Sequence, residues 1–290
     1  MSTEVKAAPA GFTPEQWKTF SCDGLVHIPD VLPPDTVDEL LKAALECLEG
    51  LRLEDEHTNK VENVIAHHPA FHQLIDHSGH IGFVYDVFGD QLRLSQNDVF
   101  CRPPGSVVNH WHIDGPRAVP YRAFSPVLPL KMRVGYWLTD VPRDDMANMV
   151  YLPGSHRPEY TQEHAGTGAL TGQQVLTPTK GSLTVFNGNL WHRIQPNTSE
   201  VTRVNVFLSY TPSWINGYYF HDVQAMPGLT REQRIVLRPY GDVQEGFSRP
   251  PGEDQPLYSG GLAVDTGLPV ERHKVRRLTR YEQYLREHDC

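Results

Sequence analysis

Between residues 109 and 115 the sequence reads Asn109-His110-Trp111-His112-Ile113-Asp114-Gly115. On an extended chain alternate residues point the same way, so His110, His112 and Asp114 can share a face. Imidazole and carboxylate two residues apart can grip one metal ion. A third ligand must come from elsewhere, and His192 is the best candidate. It follows the strand-like stretch 182–186 across the turn Asn187-Gly188-Asn189, which predicts a place at the end of a strand. Two imidazoles and one carboxylate on one face of an octahedron leave three positions open. That donor set is the one non-haem iron(II) uses for oxygen chemistry, because substrate and O2 both need vacant sites. With fifteen histidines in the chain, an H-x-D pair alone says little. Arg203 adds to it. It lies eleven residues beyond His192 on the polar face of the next strand pattern, where a guanidinium can pair bidentately with a carboxylate held beside the metal. Its plainer reading is a surface arginine on an exposed strand.

The elements that must position these residues are legible as patterns. Thr13-Pro14-Glu15-Gln16 is a capping box with proline at the first helical position. Leu25-Val26-His27-Ile28 reads as a strand closed by Pro29, and residues 35–49 as a helix whose apolar face is Val37, Leu40, Leu41, Ala44 and Cys47. Shorter helical patterns cover 70–77 and 82–88. From residue 92 the character turns to β, with predicted strands at 92–101, 131–138, 149–152, 182–186 and 203–210. In the last, Val204, Val206, Leu208 and Tyr210 form one face while Arg203, Asn205, Phe207 and Ser209 form a more polar one. Tyr136 and Trp137 must point oppositely, so at most one faces the metal. A capped helix is expected at 230–237, and the charged tail 270–288 reads as a surface helix or a mobile end. Strands at such spacing suggest a barrel or sandwich. One domain over 1–290 accounts for the chain: a helical N-terminal wrap (1–90), a β core (91–212) and a C-terminal wrap with the tail (213–290).

The helix–strand–helix of residues 13–41, His112-x-Asp114, Pro153-Gly154-Ser155-His156, Leu190-Trp191-His192-Arg193 and Pro196-Asn197-Thr198 with Arg203 occur in this order. Over residues 12–240 this set resembles the phytanoyl-CoA dioxygenase family of iron(II)/2-oxoglutarate-dependent oxygenases. The resemblance implies a mainly β fold with flanking helices around a double-stranded β-helix (jelly-roll, cupin-like) core. It implies His112, Asp114 and His192 as iron ligands, with Arg203 anchoring the distal carboxylate of 2-oxoglutarate. His110 lacks the carboxylate two residues on that the family pattern requires of a ligand. Some members carry a glutamine that contacts the cosubstrate three residues before the first ligand; here Asn109, one methylene shorter, holds that place. An N-G-A-T-like turn is replaced by Met146-Ala147-Asn148-Met149, and a serine two residues past the distal histidine by Ile194, so two hydroxyls are missing from the expected 2-oxoglutarate pocket. Related halogenases replace the carboxylate ligand with a small residue, and Asp114 argues against that chemistry. The implied reaction oxidises a small molecule, in the first instance by hydroxylation, with Fe(2+) as cofactor, 2-oxoglutarate and O2 consumed to give succinate and CO2, and ascorbate serving as reductant in vitro.

Composition narrows the remaining classes. A chain of 290 residues can build its own core and needs no metal to fold. A net charge of −9 disfavours nucleic acid or an anionic membrane as partner. No apolar run approaches a membrane span or a secretory leader, and the four cysteines are far apart, which fits a cytoplasmic monomer or homodimer. The same charge, with no evident basic cluster over 90–210, leans towards a natural-product metabolite and away from an acyl-CoA, whose phosphates call for a basic entrance. From another class, the rival is a metal-binding β-helix protein that does no oxygen chemistry. Ser155 and His156 are adjacent in one turn and are read as turn residues, not as a nucleophile and its base.

Overall fold

Two antiparallel sheets face each other in the computed structural model, which describes residues 5–49, 59–115, 129–238, 242–244, 247–249, 256–259, 284, 287 and 288. Before the first long strand come α1 (Pro14–Asp23), β1 (Leu25–Ile28), α2 (Pro34–Glu49), β2 (Asn59–Glu62), α3 (Val64–His67), a 3-10 turn (Pro69–Leu74) and α4 (Ile81–Phe88). Then follow β3 (Leu92–Arg102), β4 (Met132–Trp137), β5 (Met149–Tyr151), β6 (Gln174–Val175), β7 (Leu183–Asn187), β8 (His192–Ile194) and β9 (Arg203–Pro212). The described part closes with α5 (Arg231–Leu237) and the hairpin β10 (Asp242–Gln244) and β11 (Phe247–Arg249). The major sheet has the order β1-β7-β4-β9-β3-β2 and the minor sheet β6-β5-β8.

Strand alternation decides what each face of the major sheet meets. Val204, Val206, Leu208 and Tyr210 of β9 join the core that Phe71, Leu74 and Val84 of the helical layer also build. The opposite face turns towards the minor sheet, where Trp137, Phe186 and Phe207 pack with Met149 and Ile194. Tyr136 belongs to the first cluster and Trp137 to the second, as their opposite directions require. The helices begin where the sequence signals them. Thr13 and Gln16 exchange both bonds of a capping box at α1, and Thr230 and Gln233 do the same at α5. Gly24 ends α1 at φ 86°, and a Cβ there would lie 2.5 Å from Nδ1 of His156.

Several elements differ from the patterns. The sheet takes two strands, β1 and β2, from before residue 91, and β2 was not expected. The pattern at 70–77 is a 3-10 turn (Pro69–Leu74) rather than an α-helix, with i→i+3 bonds from the Phe71 amide to His68 O and from the Ile75 amide to His72 O, both 3.2 Å. His192 does not end the strand before it: the chain leaves the major sheet at Asn187, turns, and enters the minor sheet with His192 as the first residue of β8. A register shift between Leu94 and Gln96 inserts Ser95 as an extra residue in β3. That bulge reverses the phase of the strand, so Leu94 faces the helices while Gln96 and Asp98 face the minor sheet. The tail 270–288 lies outside the described residues save for three positions.

Candidate metal centre

The segment carrying His112 runs antiparallel to β8. The His112 amide donates to His192 O at 2.9 Å, and the His192 amide returns to His112 O at 3.0 Å. This bridge sets the two imidazoles side by side, ring centroids 4.2 Å apart. Each ring has its Nδ1 at 2.9 Å from a backbone carbonyl two residues earlier, His110 O for His112 and Leu190 O for His192. A carbonyl only accepts, so Nδ1 carries the proton and Nε2 keeps its lone pair for a metal. His110 contributes through its backbone. Its own side chain is exposed and is not part of the cluster.

Asp114 is held by Gly188, whose carbonyl accepts from the amides of Asp114 (2.8 Å) and Gly115 (2.7 Å). Gly115 is required there, because a Cβ would stand 1.8 Å from Oδ1 of Asn189. The carboxylate then reaches both rings, Oδ1 at 3.9 Å from His112 Nε2 and Oδ2 at 3.6 Å from His192 Nε2. One ligand atom from each of the three residues lies within 4.8 Å of the others. Burial by itself would raise the pKa of Asp114. The Arg133 guanidinium, with Nε 2.9 Å from Oδ2, outweighs it together with His192, Lys131 and His112 and holds the carboxyl well below the usual range. Burial and the neighbouring His112 push His192 down to about 4. Both are therefore in the metal-binding protonation state at neutral pH, and the donor set fits a divalent ion of the first transition row.

Arg203, the first residue of β9, is 2% exposed, which overturns its plainer surface reading. Its Nη1 donates to Ala147 O at 2.6 Å, Nη2 donates to Asn205 Oδ1, and Cζ lies 5.3 Å from the centre of the Trp137 ring. Nε has no partner, and no carboxylate of the described residues pairs with this cation. Burial, then the charge of Arg102, pushes its pKa down to about 9. A buried cation with a spare donor is costly unless an anion joins it.

One cavity of about 230 Å³ is lined by His112, Asp114, His192, Asn109 and Arg203 together. Asn109 comes with a constraint, because its side-chain oxygen already accepts from the Ile194 amide. Met149 and Ile194, at the two places where hydroxyls are missing, line the same cavity. So do Lys60, Gln96 and Arg133, which sequence reasoning passed over. The signal was there as polar residues at alternate positions, Gln96 and Asp98 on β3 and Lys131 and Arg133 on the run into β4. The bulge at Ser95 hid the first pair. The expectation of no basic cluster within 90–210 therefore fails: Arg102, Lys131, Arg133 and Arg203 are dispersed in sequence and gathered by the fold. The Pro153–His156 stretch is a turn as read, with the Trp191 amide donating to Ser155 Oγ at 2.9 Å and His156 Nε2 3.1 Å from Ser21 O.

The family description "Phytanoyl-CoA dioxygenase (PhyH)" matches residues 20–205. The chain belongs to this family. Its members are iron(II)/2-oxoglutarate-dependent dioxygenases, and this PhyH protein is one of them, with iron(II) as its cofactor and 2-oxoglutarate and O2 as cosubstrates. No curated protein matches the sequence. Among solved structures, HygX from Streptomyces hygroscopicus with nickel and 2-oxoglutarate bound is similar at 19% identity and a TM-score of 0.62, over 73% of this chain and 91% of that one. The carbocyclase SnoK of nogalamycin biosynthesis gives 21% and 0.57 over 82% and 96%. EctD from S. alaskensis gives 17% and 0.58 over 74% and 85%. At such identities the likeness establishes the fold, the jelly roll of this oxygenase class, and the PhyH match supplies the family.

Proposed function

We propose that this PhyH protein hydroxylates a small organic metabolite, with His112, Asp114 and His192 as the iron ligands and Arg203 as the anchor of 2-oxoglutarate. The observation that carries the reading is the single cavity in which two imidazole Nε2 atoms, one carboxylate and one unmatched buried guanidinium converge. Iron bound to the three ligands would supply O2 activation coupled to decarboxylation of 2-oxoglutarate to succinate and CO2. The His110 and Leu190 carbonyls fix the tautomer and aim of each imidazole. Arg203 takes the distal carboxylate of 2-oxoglutarate, which satisfies its free Nε and neutralises its charge. Asn109, with its oxygen committed to Ile194, offers the cosubstrate only its Nδ2 donor. Phe186, Phe207 and Met149 keep the wall between these polar groups apolar and limit water.

A small-molecule substrate is supported by HygX, which has been solved with nickel, 2-oxoglutarate and hygromycin B bound. SnoK and the epimerase SnoN both act in nogalamycin biosynthesis, which favours a natural-product metabolite. The test is anaerobic loading with iron(II), then O2 and ascorbate, with succinate measured by mass spectrometry. Succinate formed only with iron and 2-oxoglutarate together supports the reading. Metal binding without succinate would return the chain to a passive metal-binding β-helix protein.

A further inference from the structure

Lys131 Nζ and Arg133 Nη1 both reach one neutral atom, Gln96 Oε1, at 3.2 and 3.4 Å. The amide is locked in this sense because its Nε2 donates to Asp98 Oδ2 at 2.7 Å. Asp98 cannot balance the two cations. Its Oδ2 also meets Lys60 Nζ at 3.2 Å, and its Oδ1 accepts from the Tyr219 hydroxyl at 2.8 Å and the Asn63 amide at 3.4 Å. Arg133 is held rigidly by a 2.6 Å bond to Ser209 Oγ, with Cζ 4.9 Å from the centre of the Phe207 ring. No carboxylate of the described residues forms an ion pair with Lys131.

Charge balance then leaves a remainder, resting on the dioxygenase reading above. A divalent metal is matched by Asp114 and by one carboxylate of 2-oxoglutarate, Arg203 by the other carboxylate, and Lys60 by Glu62 at 2.8 Å and Asp98 at 3.2 Å. Arg133 shares Asp114 with the metal, its Nε 2.9 Å from Oδ2. Lys131, which forms no ion pair among the described residues, and Arg133, which has only a share of Asp114, meet at one uncharged oxygen beside the metal ligands. Like charges gathered in a partly buried place stand ready for an anion. We infer that Lys131 and Arg133 form an oxyanion-binding pair for the substrate, so that the molecule oxidised here carries a carboxylate or phosphate group placed against them.

The test is calorimetric titration of acetate and of inorganic phosphate, at low chloride, into nickel- and 2-oxoglutarate-loaded protein. The parent should bind one equivalent of at least one of them, and the stronger binder tells which group the substrate carries. Lys131→Met, a half-buried position, should weaken binding by about 10-fold. Arg133→Lys keeps a positive neighbour for Asp114 but loses the fork, and should weaken binding by less. No uptake by the loaded parent, or equal uptake by parent and both variants, overturns the proposal. So does a loss of 2-oxoglutarate affinity in Lys131→Met that equals the loss of oxyanion affinity, which would assign the pair to the cosubstrate. A parent that fails to take up 2-oxoglutarate at all refutes the dioxygenase reading instead. The same oxyanion titration on the unloaded protein then decides whether the pair binds anions on its own.

Discussion

Ala147 adopts a left-handed backbone conformation, φ 58°, and in doing so presents its carbonyl to Nη1 of Arg203 at 2.6 Å. An alanine there costs about 1–2 kcal/mol against Cβ–carbonyl crowding. The turn is tied down by the Ala147 amide, which donates to Pro196 O at 3.0 Å, and by Asn148, whose Oδ1 accepts from the Met146 amide at 2.9 Å. Local strain is thus spent on aiming a buried guanidinium. Ala147→Gly relieves the crowding at an entropic cost of roughly 0.5–1 kcal/mol, so a net gain of about 0.5–1 kcal/mol is expected. Thermal melts should show a rise of about 1–3 °C. Ala147→Val should move the other way, because a branched Cβ is worse in this region.

His112→Ala and His192→Ala should each abolish succinate formation while the protein stays folded. The core shared by the helical layer and the major sheet includes no metal ligand, so the fold does not depend on the ion. Circular dichroism melts of the metal-free parent and variants check the fold, and succinate assays the chemistry. Turnover at the parental rate in either variant would show that the ligand set is wrong.

The alternation in β9 was enough to tell that Arg203 and Phe207 share a face opposite Val204 and Val206, and spacing offered His112, Asp114 and His192 as a candidate set that the family resemblance then favoured over one with His110. That Arg203 is buried could not be read from β9, because its burial comes from Trp137 on β4 and the Ala147 turn, both far away in sequence. Strands β6 and β8, two and three residues long, are too short to carry a period. Gln96 and Arg133 stayed hidden because one extra residue, Ser95, shifts the phase of β3, and because pairing across β4, β9 and β3 is set by register. A one-residue slip would turn every one of these side chains to the other face.

Acid should weaken the fold before it protonates the carboxylates. His156 and His221 are pushed down to about 4, chiefly by burial, with Arg157 acting on the first and Arg93 on the second. His80 lies fully enclosed, its ring nitrogens 2.7 Å from the hydroxyls of Tyr136 and Tyr210, and burial holds it well below its ordinary value. Unfolded, these rings titrate near about 6.5. Between the two limits the unfolded chain binds protons that the folded chain refuses. For His156 and His221 the stabilisation is therefore complete above about pH 6.5 and lost as pH falls towards about 4, at about 1.4 kcal/mol per pH unit for each ring, and His80 acts in the same sense. Urea midpoints measured from about pH 7.5 to about 5 should fall, and His156→Gln, which keeps an N–H for Ser21, should show a shallower fall. Parallel profiles for parent and variant would mean that His156 is not held neutral by the fold.

Arg203 separates an oxygenase from a passive metal site, since no protein carboxylate of the described residues answers its charge. Replacing it with methionine leaves the distal carboxylate of 2-oxoglutarate facing an apolar stem next to Trp137. Removing one partner of such a buried, charge-assisted pair costs about 2–5 kcal/mol, or roughly 30-fold to several thousand-fold in affinity. Arg203→Lys should fall between, because it keeps the charge but can no longer hold Ala147 O and the Asn205 side chain while offering a second donor to the ligand. Metal affinity should hold in both variants, because Arg203 approaches none of the three ligands. Anaerobic titration of 2-oxoglutarate into the iron-loaded proteins, followed by the metal-to-ligand absorption band, reads both quantities. An Arg203→Met protein that binds 2-oxoglutarate as tightly as the parent would leave the buried guanidinium without its anion and remove the cosubstrate from this end of the cavity.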